Sequence, residues 1–320
     1  MTSIRILLID RSHPVLIAKL LESGMVQLTE AYDWNLEKIQ EELPHFHGLV
    51  IRSRINLDDS LLKRGTQLRF IAREGVGLEH IDLETARQLG IKVLISPEGS
   101  KDTVAEHAIG LLLALTNRIL IADREVRQGQ WNREANRATE IMGKTIGILG
   151  YGNMGQSFAR KISGFGCQVL TYDKYRRNYG DAFAQEASLS EIWEKADVLS
   201  IHIPYEVSNH YFVNADFIKA FRKPFYLINT GRGLVLETTA LVDGLKSGKV
   251  LGAGLDVIEY EELSFNALKL AGADVPAPLS WLRSSDQVVL APHIAGWSFE
   301  SKRKHGEVLA AKIIALLGDK

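Results

Sequence analysis

Three polar side chains in the second half of the chain, Arg232, Glu261 and His293, are the residue types from which acid-base chemistry on an anionic substrate is built. With an ordinary pKa of about 6.5, a histidine such as His293 exchanges a proton near neutral pH. A carboxylate held against an imidazole raises its pKa and fixes its tautomer, so Glu261 would orient His293 and keep it protonated until an acid is needed. Arg232 offers a permanently charged fork that matches carboxylate and carbonyl oxygens. Each also has a plain structural reading: His293 capping the turn after Pro292, Glu261 as surface charge beside Glu259 and Glu262, and Arg232 capping an element end. All three stand where apolar runs end, and open α/β sheets bind their ligands at that edge.

A second constellation precedes them. The run TIGIL (145–149) leads into Gly150-Tyr151-Gly152-Asn153-Met154-Gly155 and then an amphipathic stretch, in the order strand, glycine turn, helix. Gly150 permits the tight turn, and Gly152 lets the backbone approach a pyrophosphate. Gly155 lets the helix opened by Asn153 and Met154 lie close to the strand, its N-terminus facing the anion. Asp173 ends the next strand, about 20 residues on, where a carboxylate bonds both ribose hydroxyls. The pattern reads as a dinucleotide site, and Asp173 favours NAD over NADP because it repels a 2′-phosphate. Lys174, Arg176 and Arg177 leave two readings open, a solvated basic loop or an inward phosphate pocket.

The elements that must position these residues follow from hydrophobic patterning. Apolar runs at 4–10, 48–53, 68–72 and 92–96, separated by helix-like segments, read as buried parallel strands of one βα domain. Residues 102–127 read as one long helix linking two bodies. Further runs at 145–149, 168–172, 197–203, 225–229, 252–257 and about 286–291 predict six strands of a doubly wound sheet. The amphipathic stretch 299–317 is expected to cross back onto the first domain. The class is α/β, with a substrate-binding domain at 1–98 and 293–320 and a dinucleotide domain at 99–292.

Composition narrows the function classes. The 320 residues are 46% hydrophobic and 24% charged, with a formal net charge of −1, which argues against disorder and leaves no global field for nucleic acid or an acidic membrane. The single cysteine, Cys167, forms neither an intrachain disulfide nor a thiolate metal site and fits a reducing cytoplasm. No signal peptide is legible at the N-terminus, and the apolar stretch around Ala108 to Leu115 is far short of the roughly 20 residues of a span. His80, His107, His202 and His210 lack metal-ligand spacing, and no metal is expected.

The stretch INTGRGLVLETTALVDGLKSGKVLGAGLDV (228–257), with GYGNMG and PHIAG, resembles the D-2-hydroxyacid dehydrogenase family, phosphoglycerate dehydrogenases being the nearest subgroup. The resemblance runs from IRSR (51–54) through the last helix. It implies a Rossmann-type NAD domain, a smaller flavodoxin-like domain and an active site in the cleft between them. Arg232, Glu261 and His293 become the catalytic set, and Pro204, Thr230, Gly231 and Asp256 join the cofactor-binding positions, Asp256 at the nicotinamide carboxamide. Amides of the turn Gly75-Val76-Gly77 would cradle the substrate carboxylate. Arg52, Ser53, Arg54 and Arg73 lie nearby, and the three guanidinium groups are expected to converge on one anion, which suits a phosphate. Solvated surface arginines are the alternative.

The implied reaction is hydride transfer between NAD(H) and a small D-2-hydroxy acid, first 3-phospho-D-glycerate, without an appended regulatory domain. The alternative is a glyoxylate or hydroxypyruvate reductase, and the rival class is a dinucleotide-sensing corepressor, which no basic tail supports. Residues 131–142, with Arg133 and Arg137, look like the family's arm at a homodimer interface. Three departures stand out: Leu263 where members commonly carry proline, the longer stretch FNALKLAGADVPAPL before His293, and Val76 where phosphoglycerate dehydrogenases often carry threonine.

Overall fold

The computed structural model describes residues 3–262, 268 and 275–318. The chain divides into two compact units, Met1–Ser100 with Trp297–Lys320, and Lys101–Gly296. These boundaries place His293 in the second unit, because its amide and those of Ile294 and Ala295 are bonded to Asp256.

The first unit holds β1 (Ile4–Leu8), β2 (Val26–Glu30), β3 (Gly48–Ile51), β4 (Phe70–Arg73) and β5 (Lys92–Ile95), all parallel, in the order β2-β1-β3-β4-β5. This is the flavodoxin-like order. Residues of β1, β3 and β4 are buried on both faces: Leu7, Leu49 and Ile71 face one core, while Ile6, Val50 and Phe70 face another that includes Leu309, Ala310 and Ile313 of the helix Phe299–Gly318. Two-sided burial explains why these strands read as continuous apolar runs. The edge strand β2, VQLTE, is only partly covered and has no such run, so no apolar pattern marks it in the sequence.

The second unit carries β6 (Thr145–Leu149), β7 (Gln168–Tyr172), β8 (Gln185–Glu186), β9 (Val198–Ile201), β10 (Phe225–Asn229), β11 (Val250–Leu255) and β12 (Val288–Leu290). Their order, β12-β11-β10-β9-β6-β7-β8, is a doubly wound parallel sheet that reverses direction between β6 and β9, the switch point where such sheets bind ligands. Among the described residues it has seven strands rather than the six expected, since the two-residue β8 is too short to show a pattern.

The single long helix expected at 102–127 is instead two, Pro97–Thr116 and Ile119–Arg127, bent by 59°. Arg118 stands at φ 53, and this left-handed residue ends one helix and starts the next without the glycine or proline that would announce a break. Among the described residues no single helix is long and apolar enough to cross a bilayer.

Candidate active site

Neighbouring strands β10, β11 and β12 deliver Arg232, Glu261 and His293 to one edge of the second unit's sheet. β11 runs directly into Asp256, which organises the turn after β12. Its carbonyl oxygen accepts from His293 N at 2.8 Å, and its carboxylate accepts from Ile294 N at 2.9 Å and Ala295 N at 2.8 Å. The clamp holds His293 at φ 54, a left-handed conformation that costs a residue with a side chain about 1–2 kcal/mol. So held, His293 Nδ1 lies 2.7 Å from Glu261 Oε2, and Glu261 Oε1 accepts from Ile258 N at 2.6 Å. Both side chains are mostly covered, at 22% and 14% exposure. A carboxylate fixed from behind and bonded to Nδ1 makes Nε2 the nitrogen that faces proton transfer.

Asp256 is buried, which disfavours its charge, yet hydrogen bonds from His107, Ala295 and Ile294 outweigh burial and hold its carboxyl below the ordinary value. The resemblance assigned this residue to the nicotinamide carboxamide. Both carboxylate oxygens also hold the His293 turn, so the residue positions that histidine whatever it offers a cofactor. His107, set aside as ordinary packing, reaches Asp256 Oδ1 at 3.4 Å from the helix Pro97–Thr116, a partnership across the fold that no spacing could reveal. On β10, buried Asn229 accepts from Gly231 N at 3.0 Å and donates to the Arg232 carbonyl at 3.1 Å, which shapes the turn of Thr230, Gly231 and Arg232. The Arg232 guanidinium donates to the Gly231 carbonyl at 2.8 Å.

The glycine turn after β6 has the shape a dinucleotide requires. Gly150 stands at φ +90, and a Cβ on Gly155 would fall 2.0 Å from the Gly150 carbonyl, so the helix Asn153–Ile162 lies tight against the turn. A Cβ on Gly152 would meet nothing within 4 Å; this is the open side from which a pyrophosphate approaches the helix N-terminus. Asp173, at the end of β7, accepts from Tyr151 N and Tyr175 N, each at 2.9 Å, and from Arg176 N at 3.1 Å. Burial opposes its charge, but these amides prevail and keep its carboxyl low. Arg176 donates to the Tyr151 carbonyl at 2.8 Å, Arg177 to the Arg176 carbonyl at 2.6 Å and Lys174 to Ser208 Oγ at 3.2 Å. The three cations are thus engaged with protein oxygens rather than gathered into a phosphate pocket. Pro204 follows β9, where its carbonyl accepts from Asn209 at 3.1 Å, and Thr230 Oγ1 lies 3.5 Å from His202 Nδ1.

In the first unit, Arg52, Ser53 and Arg54 follow β3, Arg73 ends β4, and Val76 and Gly77 continue the turn beyond it. Of the three guanidinium groups expected to converge, Arg54 is engaged with the ends of neighbouring strands. Arg54 donates to the carbonyls of Ile9 at 2.7 Å, Ala31 at 3.0 Å and Trp34 at 3.0 Å, with Asp10 at 3.6 Å, and so staples the ends of β1 and β2. Arg73 donates to the Glu74 carbonyl at 2.8 Å and lies across Gly75. Arg52 lies over the ring of Trp297, 5.0 Å from its centre, and Trp297 is a contact that residue type alone did not suggest. Residues 263–267 and 269–274, which include the substituted proline position and most of the inserted stretch, lie outside the described residues. In the second unit's 131–142 segment, Trp131 and Met142 are exposed and Arg137 pairs with Glu134 at 2.7 Å.

Comparison with known proteins places the chain. The sequence profile described as D-isomer specific 2-hydroxyacid dehydrogenase, NAD binding domain, matches residues 109–295, and the chain belongs to this family. It is 33% identical over 282 residues to the hydroxypyruvate reductase of Thermotoga maritima, covering 88% of each chain. It is 30% identical over 317 residues to the D-3-phosphoglycerate dehydrogenase of Mycobacterium bovis, covering 98% of this chain and 57% of that one. The structure of a D-lactate dehydrogenase from Aquifex aeolicus complexed with NAD and lactic acid superposes with a TM-score of 0.82 at 28% identity, covering 98% of this chain and 95% of that one. The fold expectation therefore holds, and the NAD-binding domain is the second unit.

Proposed function

We propose that the protein reduces a small unphosphorylated 2-oxo acid with NADH, hydroxypyruvate to D-glycerate or glyoxylate to the achiral glycolate. The carrying observation for the reaction is the 2.7 Å pair of His293 Nδ1 and Glu261, held on the strand edge by the Asp256 clamp. The bound cofactor supplies the hydride. Amides of the Gly75–Gly77 turn hold the substrate carboxylate, and the Arg232 guanidinium steadies the keto oxygen as charge develops on it. His293, oriented by Glu261, passes the Nε2 proton to that oxygen, and the same nitrogen takes the proton back in the oxidative direction.

The engagement of Arg54 with three carbonyls supports the unphosphorylated substrate, since three of its five N–H donors already bond the protein. A second reading, 3-phospho-D-glycerate, is favoured by Arg52 and Arg73 at the ends of β3 and β4. Wild-type NADH oxidation with hydroxypyruvate, glyoxylate, phosphohydroxypyruvate and pyruvate separates them. Arg54→Ala is expected to lower the melting temperature by several degrees, because losing even one hydrogen bond to a charged group costs about 1.5–3 kcal/mol. It should change the KM for hydroxypyruvate and phosphohydroxypyruvate by the same factor. A selective loss for the phosphorylated substrate would restore the phosphate reading.

NAD preference over NADP belongs to the same proposal, and Asp173→Ser tests it. The variant loses the ribose carboxylate and its repulsion of a 2′-phosphate, so NADH affinity should fall about tenfold, the size of one lost charge-assisted bond, while NADPH gains relative to it. Titration of both cofactors reads this directly, and a wild type that already prefers NADPH contradicts it. We further propose a homodimer through the arm at 131–142, where Trp131 is 78% exposed. Sedimentation with and without Trp131→Ser tests the assembly.

A further inference from the structure

We propose that His305, on the C-terminal helix, acts through Ser96 as a positioning residue for the Gly75–Gly77 turn, and so sets affinity for the keto acid without touching it. The inference rests on the reading of that turn as the carboxylate cradle.

Gly75 stands at φ +141, a conformation that residues with a side chain rarely adopt, and a Cβ there would meet the Arg73 guanidinium. Such a turn keeps its shape only if the surrounding contacts determine it. Two bonds do so: Gly75 N donates to Ser96 Oγ at 3.1 Å, and the Gly75 carbonyl accepts from Ser96 N at 2.9 Å. Ser96 follows β5 and is fully buried, so no water competes for its hydroxyl. That hydroxyl has one proton. The proposal assigns that proton to His305 Nδ1, 2.8 Å away, while Oγ accepts from Gly75.

The chain of donors therefore runs one way, Gly75 N–H to Ser96 O–H to His305 Nδ1, and it requires a neutral imidazole with its proton on Nε2. Burial is the main cause that pushes the His305 pKa down to about 4; a hydrogen bond to the Ser96 backbone and the charge of Glu98 oppose it, the charges of Arg73 and Arg52 add to it, and the ring stays neutral at physiological pH. The ring is held in place as well. A Cβ on Gly99 would fall 2.5 Å from His305 Nδ1, so the start of the helix Pro97–Thr116 packs directly on it. The C-terminal helix thereby carries an acceptor that orients a serine hydroxyl, and the serine in turn aims the first amide of the turn. A misaimed cradle weakens the bound keto acid and the transition state alike, which raises KM and leaves kcat nearly unchanged.

The test compares His305→Leu, His305→Asn and Ser96→Ala with the wild type, using hydroxypyruvate and glyoxylate. Asparagine places its carbonyl oxygen near the position of Nδ1 and restores the acceptor; leucine does not. His305→Leu should raise KM about tenfold, equivalent to about 1.4 kcal/mol, with kcat within about twofold and the NADH dissociation constant unchanged. His305→Asn should stay within about threefold of the wild type, and Ser96→Ala should follow leucine. Nitrogen-15 spectra of the wild type should show Nδ1 as the unprotonated ring nitrogen. An unchanged KM in a folded His305→Leu, equal losses in the leucine and asparagine variants, or a proton on Nδ1 would each overturn the inference. If His305→Leu does not fold, Ser96→Ala and the spectra decide. A wild type inactive on every 2-keto acid overturns the proposed function and this inference together, whereas an active wild type with insensitive variants overturns this inference alone.

Discussion

Replacing His293 with glutamine is expected to lower turnover by at least about a hundredfold while NADH binding persists, because general acid-base catalysis contributes a factor of about 10² to 10⁴. Glutamine approximates the size of imidazole but has no proton to give near neutral pH. The backbone bond from residue 293 to the Asp256 carbonyl, and those from Ile294 and Ala295 to its carboxylate, do not involve the replaced ring. The turn should therefore survive, and the loss should fall on the chemical step. Single-turnover stopped-flow reduction isolates that step from product release. A variant that oxidises bound NADH at the wild-type rate would remove His293 from the acid role, and with it the meaning of the Glu261 pair.

Acidification is expected to destabilise the protein between pH 6.5 and about 4, well before most carboxylates titrate. In the first unit burial depresses the pKa of His80 and of His305 to about 4 each, and in the second burial depresses His202 to about 3. Each folded pKa lies below its unfolded value, so as pH falls through 6.5 the unfolded chain takes up protons that the folded chain refuses, and stability drops. The loss is fully developed once pH reaches the folded pKa. For His80 and His305 it amounts to about 2 kcal/mol each at pH 5. Glu74 works in the opposite direction, since burial raises its pKa and its proton is bound more tightly in the folded state. Asp173 and Asp256, with lowered carboxyl pKa values, add their losses only at lower pH. Calorimetry at pH 7, 6 and 5 should show falling melting temperatures, and His80→Asn should flatten the slope. A melting temperature unchanged from pH 7 to 5 would show that these rings are solvated or already charged.

The second unit was the more legible of the two in sequence, and the reason is locality. Strand, glycine turn and helix succeed one another within the residues 145–162, and each glycine answers a steric demand of its own neighbours: the left-handed turn at Gly150 and the close approach at Gly155. The buried parallel strands were legible for a similar reason, as covering both faces makes every position apolar. Edge strands β2 and β8 escaped because a half-covered or two-residue strand has no such pattern. Arg232 and His293 could be named from motifs, and Glu261 with them, although 32 residues separate it from its imidazole partner.

Tertiary structure alone decided which polar groups would meet. Arg54 has the same residue type whether it reads a phosphate or caps strand ends; the sheet order brought the carbonyls of Ile9 and Ala31 within its reach. Asp256 became the clamp of the His293 turn because β11 and β12 are neighbours, and His107 joined it from a helix far back in the chain. Ser96 and His305 are 209 residues apart, yet their 2.8 Å contact depends on the last helix returning to the first unit. Residue type and short spacing specify what a group can do and which turn it sits in. The partner of a buried polar group is chosen by whichever donors and acceptors the packed elements place within about 3 Å, and that choice is a property of the fold.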